Sequence, residues 1–386
     1  MAQPQLAACE YKTGKTLGQG SYAVVKEAVK IKTGERFACK MISKKLMKGK
    51  EHMILNEIEV LKKISQGHKS IVTLHDYFET PNNLYLVLDL CTGGELFDRI
   101  CETGHFYEKD AADIIKTVLD AVSYLHKLNI VHRDLKPENL LFRSRDPDSD
   151  LMIADFGLSK IIDDGDGFLK TTCGTPGYMA PEILEKSGHG KPVDIWAIGV
   201  MAFFLNRLSG YMPFESESQA KEYDNILNAK FTFDPVYWDE ISKEAKSFIS
   251  STLRVNPSKR LTVDEALNHP WLVDANFGSC KDLLPAVKSG FNARKMFRKA
   301  IDVVKAVNKL SASNLLPSNS NLTSSAKNSG VDISHSGGNT EGHLQVSTSG
   351  NGYLSVNGPA SPLPLTRDAS FEDIYVRPEV ASKQER

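Results

Sequence analysis

Three short motifs, set in a fixed order and spacing, constrain this chain more than any other feature of its sequence. They are HRDLKPEN at 132–139, DFG at 155–157 and APE at 180–182. Asp134 can accept a proton from a hydroxyl group, while Asn139 and Asp155 offer the oxygen ligands that Mg²⁺ prefers. Alone, Asp134 could cap a helix and Asp155 could be a turn residue. In this order, a chance arrangement has a probability of roughly 1% or less.

A glycine-rich stretch and a lysine precede these motifs. GQGSYAVV at 18–25 lies between two predicted strands, where glycines let backbone amides approach phosphate oxygens closely. On its own, such a stretch is only a tight hairpin in roughly four cases out of five. Lys40 follows on a strand and Glu57 on the next helix, so an ion pair could hold the lysine against phosphates. Taken alone, each would usually be a solvated surface charge.

Hydrophobic periodicity divides the chain into two parts with different secondary structure. Residues 11–90 are rich in β-branched and apolar runs, interrupted by one helical stretch that places Ile54, Ile58 and Leu61 on one face. After Gly94 the pattern is mainly helical. We therefore predict an α+β fold with a small β-rich lobe, a large helical lobe and the active site between them.

Composition excludes several classes of protein. The 47 basic and 48 acidic residues nearly cancel, so no global field points to nucleic acid or membrane. The N-terminus lacks the apolar core of a signal peptide, and no apolar run reaches the roughly 20 residues of a membrane span. Six cysteines without CxxC spacing indicate free thiols in a reducing compartment. We expect a cytoplasmic protein.

With these motifs, residues 11–272 resemble the eukaryotic protein kinases, and Lys136 resembles the serine/threonine branch. The resemblance implies ATP and Mg²⁺ as cofactors, with Asn139 and Asp155 on the metal. It implies Asp134, Lys136, Lys40 and Glu57 as catalytic residues. Ala23 stands where the family pattern has a third glycine. The nucleotide contacts implied are Leu17, Gly18, Gln19, Gly20, Ser21, Tyr22, Ala23, Val24, Val25, Ala38, Lys40, Asp89, Cys91, Glu95 and Leu141.

The same resemblance implies structural and regulatory roles. Glu182 would pair with Arg260, and Asp194 would brace the backbone near Arg133. Thr171 lies between the DFG and APE motifs and is expected to be phosphorylated by an upstream kinase, because Arg133 can pair bidentately with a phosphate. Thr172 is the adjacent alternative, and Thr175 is expected to contact Asp134 and Lys136. Substrates are expected to carry an arginine three residues before the acceptor serine or threonine, facing Glu95 and Glu138.

The stretches GGELFDRI and CGTPGYMAPE, with a basic segment after the catalytic domain, are similar to the Ca²⁺/calmodulin-dependent kinases, nearest their type I and fungal forms. In one departure, the stretch at 204–211 is about two residues longer than the usual family pattern. The family implies that 273–310 is an autoinhibitory and calmodulin-binding segment. A short extension, 1–10, would precede the catalytic domain.

The basic segment at 291–310 spaces Phe297, Ile301, Val304 and Leu310 as apolar anchors among six cations and one aspartate. Such a helix suits the acidic grooves of calmodulin, but it could also pack on its own domain or lie on an anionic membrane. The Ser-, Asn- and Gly-rich tail at 311–386 cannot bury enough apolar surface to fold and is predicted to be disordered. A constitutive kinase and a pseudokinase scaffold remain as alternatives. A pseudokinase would be marked by loss of Lys40, Asp134 or Asp155, and all three are present.

Overall fold

The computed structural model describes residues 10–20, 23–65, 67–162, 169, 171, 173–206, 211–274, 281–285 and 288, which belong to one compact unit. The predicted calmodulin-binding helix at 291–310 and the tail at 311–386 lie outside the described residues. Four residues of the longer stretch, 207–210, lie outside them as well. Among the described residues, no helix combines the length and apolar character needed to cross a membrane.

The N-terminal lobe is a five-stranded antiparallel sheet with the strand order β1-β2-β3-β5-β4. Its register places Lys40 of the third strand opposite Val25 on one neighbour and Leu86 on the other. The lysine is therefore fixed beneath the glycine-rich turn that joins the first two strands. The strands are β1 (Tyr11–Gln19), β2 (Ala23–Lys30), β3 (Arg36–Ser43), β4 (Leu74–Glu79) and β5 (Asn83–Leu88).

One helix, α1 (Glu51–Ile64), crosses between β3 and β4. The predicted apolar face is confirmed, because Ile54, Ile58 and Leu61 are all buried. Glu57 lies beside Ile58 and is only 6% exposed, so the helix presents this carboxylate to the protein interior rather than to solvent. Burial of a carboxylate is unfavourable unless a cation pairs with it, and Lys40 supplies that cation.

The second lobe is mainly helical, as predicted. Its central helix, α5, is apolar on nearly all faces and buries every residue from Val193 to Asn206, as expected for a helix that runs through a core. The helix α3 buries a single face against it. The helices are α2 (Leu96–Glu102), α3 (Glu108–Lys127), α4 (Pro181–Glu185), α5 (Pro192–Asn206), α6 (Gln219–Leu227), α7 (Pro235–Trp238), α8 (Lys243–Thr252), α9 (Val263–Leu267) and α10 (Pro270–Val273).

Two pairs of short strands bring the sequence motifs together. β6 (Ile130–Val131) pairs with β9 (Lys160–Ile161), and β7 (Leu140–Phe142) pairs with β8 (Leu151–Ile153). The HRDLKPEN motif connects β6 to β7, and the DFG motif connects β8 to β9. Two loops that are distant in sequence therefore emerge side by side at one end of these pairs.

A short stretch after the last helix returns to the helical lobe. The Asp282 carboxylate accepts hydrogen bonds from the backbone N–H groups of Phe106 and Leu284, each at 2.9 Å. The Leu283 N–H donates to the Phe106 carbonyl at 2.6 Å, and the Leu283 and Leu284 side chains are buried. Residues 281–285, which we call the anchor, are thus fixed beside the start of α3.

The expected pair between Glu182 and Arg260 is present and lies in the core of the helical lobe. The two guanidinium amino groups of Arg260 donate to the two carboxylate oxygens of Glu182 at 2.7 and 3.0 Å. The side chains of Arg260 and Glu182 are 0% and 5% exposed, so each charge depends on the other. The pair ties α4 to the segment before α9.

We predict that Arg260→Met lowers the free energy of unfolding by about 3–5 kcal/mol, because it leaves the Glu182 carboxylate buried without its cation. The matched control is Lys230→Met, which breaks the exposed ion pair with Asp224 and should cost less than about 1 kcal/mol. Urea unfolding followed by tryptophan fluorescence measures both values. Equal effects of the two substitutions would contradict this account of the buried pair.

Candidate active site

A cleft of about 630 Å³ lies between the sheet and the helical lobe, within the usual size range of small-molecule sites. Its walls are apolar on the sheet side and carry charged groups at the inner end. Most of the predicted nucleotide-contact, catalytic and metal-binding residues line it. They are Leu17, Gly18, Gln19, Gly20, Ala23, Val25, Ala38, Lys40, Glu57, Asp89, Cys91, Glu95, Asn139, Leu141 and Asp155.

Three of the predicted nucleotide contacts are not among the described wall residues. Ser21 and Tyr22, at the tip of the glycine-rich turn, lie outside the described residues. Val24 lies on β2 between Ala23 and Val25, which both line the cleft. Because successive side chains of a strand point to opposite faces, the Val24 side chain lies on the other face of the sheet. Val24 as a nucleotide contact stays a prediction, and only its backbone is on the cleft side of the strand.

Three charged groups meet at the inner end of the cleft. Lys40 Nζ donates to Glu57 Oε1 at 2.6 Å and to Asp155 Oδ1 at 2.9 Å. Burial disfavours the charged amine, but the two carboxylates outweigh it and hold the pKa of Lys40 above its usual value. The Lys40 cation in turn lowers the pKa of Asp155 to about 2. Lys40 and Asp155 are therefore both charged at neutral pH.

The absence of a side chain at Gly157 leaves space for these three charged groups. A Cβ atom at this position would lie 3.3 Å from Asp155 Oδ1, 3.5 Å from a Glu57 oxygen and 3.6 Å from Lys40 Nζ. A larger side chain would press on the ion pairs or separate them. The glycine of the DFG motif is thus explained by close approach to Lys40 and its two partners.

A second set of interacting polar and charged side chains surrounds Asp134, in the loop between β6 and β7. Lys136 Nζ donates to Asp134 Oδ2 at 2.6 Å, and the Thr175 hydroxyl donates to Asp134 Oδ1 at 2.8 Å. Lys136 also donates to Thr175 Oγ1 at 2.8 Å, so the expected contacts of Thr175 are present. This arrangement holds a carboxylate and a cation side by side. The carboxylate can accept a proton from a hydroxyl group, and the cation can stabilise negative charge that develops next to it.

Asn139 is oriented by the same loop. Its Nδ2 donates to the Asp134 carbonyl at 2.8 Å and lies 3.3 Å from Asp134 Oδ2. Because the amide nitrogen is engaged, the amide oxygen is the atom of Asn139 left to act as a ligand.

The buried carboxylate of Asp194 binds the backbone of the loop that carries Asp134. Asp194 of α5 accepts hydrogen bonds from the backbone N–H groups of His132 and Arg133 at 3.0 and 2.9 Å, as expected. His126 lies 2.9 Å from the same carboxylate. Burial opposes ionisation, but these partners hold the pKa of Asp194 below its usual value. Arg133 has a φ of 67°, a left-handed conformation that these two bonds help to maintain.

The segment that joins the two lobes is held by Asp89. Its carboxylate accepts from the Thr73 N–H at 3.0 Å and lies 2.7 Å from His75 Nε2. These partners offset the effect of burial and keep the pKa of Asp89 below its usual value. Asp89 therefore acts through its carboxylate as a structural residue of this segment. Nearby, burial raises the pKa of the Cys91 thiol to about 11, so Cys91 is a neutral wall residue.

The donor set fits a divalent cation bound together with phosphates. Asp155 stays ionised, Asn139 presents an amide oxygen, and both line the same cleft. Mg²⁺ typically takes one or two protein oxygens and completes its shell with phosphate oxygens and waters. Two protein ligands are thus the expected number for a metal that arrives with a nucleotide.

Several wall residues were not predicted as nucleotide contacts. Ala154 and Phe156 flank Asp155 in sequence, and Leu88 and Leu90 flank Asp89, so neighbourhood to a predicted residue could have indicated them. Leu61 and Val72 reach the cleft only through folding of α1 and the following loop. The further wall residues are Leu61, Val72, Leu88, Leu90, Gly94, Glu138, Ala154 and Phe156.

The regulatory residues fall partly within the described part of the chain. Thr171 is described and is exposed. Thr172 lies outside the described residues, as do the predicted calmodulin anchors Phe297, Ile301, Val304 and Leu310. Phosphorylation of Thr171 and binding at 291–310 therefore stay predictions from sequence.

Comparison with known proteins gives one family and a set of related enzymes. The protein kinase domain family matches residues 11–272. Calcium/calmodulin-dependent protein kinase cmkB of Emericella nidulans is 58% identical over 315 residues, which are 80% of this chain and 78% of that protein. The type I enzyme of Schizosaccharomyces pombe is 53% identical over 307 residues, 79% and 91% of the two chains. The type 1B enzyme of Mus musculus is 49% identical over 278 residues, 72% and 79% of the two chains.

The ion pairs at the inner end of the cleft predict the titration of Asp155. In the wild type, the stabilisation that Lys40 gives to the Asp155 carboxylate is present above the ordinary aspartate pKa and is lost as pH falls through about 2. In Lys40→Met the cation is gone while burial still opposes ionisation, so the pKa of Asp155 should rise well above the wild-type value of about 2. Carboxyl ¹³C NMR measures this pKa. Lys69→Met, which removes an exposed lysine paired with Asp150, is the control and should leave the Asp155 titration unchanged.

Proposed function

Because the chain belongs to the protein kinase family and is a serine/threonine kinase, we propose that it transfers the γ-phosphate of Mg-ATP to protein hydroxyls under control by Ca²⁺/calmodulin. The observation that carries the catalytic part is that Asn139 connects two sets of charged side chains. Lys40, Glu57 and Asp155 lie at the inner end of the cleft. Asn139 lines the same cleft and contacts Asp134, which is paired with Lys136. Such an arrangement can orient phosphates on one side and a hydroxyl on the other.

The residues of the chain divide the chemistry between them. Lys40, fixed by Glu57, would orient the phosphates, and Asp155 and Asn139 would hold the metal. Mg-ATP, when bound, would supply the phosphoryl group and a cation that offsets the negative charge of the phosphates. Asp134 orients the substrate hydroxyl and accepts its proton. The Lys136 amine, 2.6 Å from Asp134, neutralises negative charge that develops on the transferred group.

The intact ion pairs argue against a pseudokinase scaffold. Such a protein would lack Lys40, Asp134 or Asp155, or would hold them apart. Here the three side chains are present and Lys40 bonds directly to Asp155. The pseudokinase alternative therefore has no structural feature in its favour among the described residues.

The preferred substrates are proposed to carry arginine three residues before the acceptor. Glu95 precedes α2, Glu138 belongs to the HRDLKPEN motif, and both carboxylate residues line the cleft near Asn139. Two carboxylate residues that line one cleft favour a basic peptide residue and suit the planar guanidinium group.

Autoinhibition by the segment after the catalytic domain is supported by the anchor at 281–285. Asp282 bonds to Phe106, and the Leu283 and Leu284 side chains are buried in the helical lobe. Lys281 adds an ion pair with Glu240 at 2.7 Å. The chain that follows therefore starts from a fixed point on the catalytic domain, which favours a return of residues 286–310 to the substrate cleft.

Calmodulin is the proposed activator because of the anchors Phe297, Ile301, Val304 and Leu310 and their basic surroundings. The relatives in Emericella nidulans and Schizosaccharomyces pombe are named calcium/calmodulin-dependent kinases. Calmodulin would bind this segment only when it leaves the catalytic domain, and so would shift the population towards the active form. We further propose a cytoplasmic location and an upstream kinase that phosphorylates Thr171.

We predict that Asp155→Ala abolishes phosphoryl transfer because it removes a metal ligand, and that Asp134→Asn lowers kcat by about 10²–10⁴ because it removes the proton acceptor. Asp148→Ala, at an exposed position outside the nucleotide cleft, is the control and should retain wild-type turnover. Rates are measured on a serine peptide with arginine three residues before the acceptor, and on the same peptide with alanine there. Wild-type turnover by Asp155→Ala would disprove the assigned site, and equal KM values for the two peptides would disprove the arginine preference.

We predict that the full chain is nearly inactive in EGTA and active in Ca²⁺/calmodulin, with Thr171 kept in one phosphorylation state throughout. Truncation near residue 285 should give constitutive activity, because the blocking stretch is lost while the anchor remains. Truncation near residue 297 should leave the kinase inhibited and insensitive to calmodulin. Phe297→Asp should weaken calmodulin binding, measured by calorimetry, whereas Val307→Ala, which is off the anchor spacing, should matter less. Equal peptide kinase rates in EGTA and in Ca²⁺/calmodulin would refute this scheme.

A further inference from the structure

A buried histidine without hydrogen-bond partners lies at the point where the activation segment touches the helical lobe. His189 precedes α5 and forms two backbone hydrogen bonds with Leu169, each of 2.8 Å. Its residue exposure is only 2%. Neither ring nitrogen of His189 has a hydrogen-bond partner among the described residues. Buried polar groups are nearly always satisfied, so an unpaired imidazole requires an explanation.

The charged groups around His189 do not satisfy its ring. Arg133 of the catalytic loop, Glu182 of α4 and Asp194 of α5 are the charged residues that act on it. Glu182 is occupied by both amino groups of Arg260, and Asp194 by His126 and two backbone N–H groups. Burial and then the Arg133 cation lower the pKa of His189 to about 4. At neutral pH the ring is uncharged, with one N–H donor.

Arg133 has unused donors on the same side of the protein. Its Nε donates to the Leu158 carbonyl at 2.6 Å, but its two terminal amino groups make no hydrogen bond within the described part of the chain. Burial lowers the pKa of Arg133, although the group remains a cation at physiological pH. The Arg133 guanidinium and the His189 imidazole therefore interact electrostatically, and among the described residues neither the ring nor the terminal amino groups has a hydrogen-bond partner.

Thr171 lies close in sequence to the residue that pairs with His189. It follows Leu169 by two residues, and Leu169 and His189 exchange two backbone hydrogen bonds. Two residues span at most about 7 Å, so a phosphate on the exposed Thr171 is within reach of the His189 side of the segment. A phosphate there offers several acceptor oxygens and close to two negative charges.

We propose that His189 and Arg133 form the two sides of a binding site for a phosphate on Thr171, with His189 donating a ring N–H to one phosphate oxygen. This inference rests on the proposed activation through Thr171 and adds His189 as a residue that binds the phosphate. The negative charge of the phosphate offsets the Arg133 charge, which disfavours the protonated imidazole. His189 therefore gains a hydrogen-bond partner, and the pKa of its ring rises. Its backbone bonds to Leu169 then fix the activation segment to the start of α5, beside the Asp194 that supports the catalytic loop.

The test compares the full-length protein with Thr171 unphosphorylated and stoichiometrically phosphorylated, in saturating Ca²⁺/calmodulin. His189→Phe keeps an aromatic ring but removes both nitrogens, and His189→Gln restores an N–H donor. The ratio of phosphorylated to unphosphorylated kcat/KM should fall about tenfold in His189→Phe, as expected for loss of a hydrogen bond to a charged group, and should recover in part in His189→Gln. His105→Phe, at an exposed position outside this cluster, is the control and should keep the wild-type ratio.

Two titrations report on the contact directly. The second pKa of the phosphothreonine, followed by ³¹P NMR, should be higher in His189→Phe than in the wild type, because a donor to the dianion is lost. In the wild-type protein alone, ¹⁵N NMR should show a higher pKa of His189 after phosphorylation. This second measurement needs no substitution and stands even where His189→Phe fails to fold.

The outcomes separate this inference from the function on which it rests. A wild-type kinase that Thr171 phosphorylation does not activate would refute the proposed activation itself. A wild type that is activated, with an unchanged His189 pKa on phosphorylation, would overturn the role of His189 alone. The same conclusion follows from an equal activation ratio and an equal phosphate pKa in His189→Phe. His189 would then be a core residue satisfied by a buried water.

Discussion

The catalytic half of the molecule depends on one buried carboxylate. Asp194 lies on the central helix α5, where burial would neutralise it unless its partners favoured the ionised form. Those partners are the backbone N–H groups of His132 and Arg133, together with His126. A charge that must be satisfied thus fixes the loop that carries Asp134 and Asn139. The position of Asp134, the proposed proton acceptor, is therefore set by the hydrogen bonds that the buried carboxylate of Asp194 requires.

The two lobes meet through a second arrangement of charges. Lys40 belongs to the sheet, Glu57 to α1 and Asp155 to the loop after β8, so the three groups come from three separate elements. None of them is well placed without the others, because a buried lysine and a buried glutamate each require a counter-charge. The ion pairs therefore couple the orientation of α1 to the orientation of the loop that carries the DFG motif. An inactive conformation could arise by breaking either pair while leaving the folds of both lobes intact.

Sequence predicted the fold and most of the site because the motifs are local and the charges are paired. The alternation of β2 and β3 and the face of α1 that holds Ile54, Ile58 and Leu61 follow directly from periodicity. Val24 does not line the cleft although Ala23 and Val25 do, because strand alternation turns every second side chain away, and a motif taken as a block does not show this. Leu61 and Val72 could not be assigned to the cleft, since their places depend on how α1 packs against the sheet. The unpaired ring of His189 was equally invisible, because a missing partner can be recognised only in three dimensions.

The anchor at 281–285 would also determine how strongly the proposed autoinhibitory segment competes with substrate. Asp282 and the buried Leu283 and Leu284 hold the start of the segment to the helical lobe, a few residues before the basic stretch begins. A short tether of this kind gives the attached segment an effective concentration in the millimolar range at its target. A weak contact with the substrate cleft would then suffice for strong inhibition, and dilution of the protein would not relieve it. Any activator must overcome this local concentration by binding the segment itself, so the affinity that is measured for the isolated segment would exceed the affinity for the intact kinase.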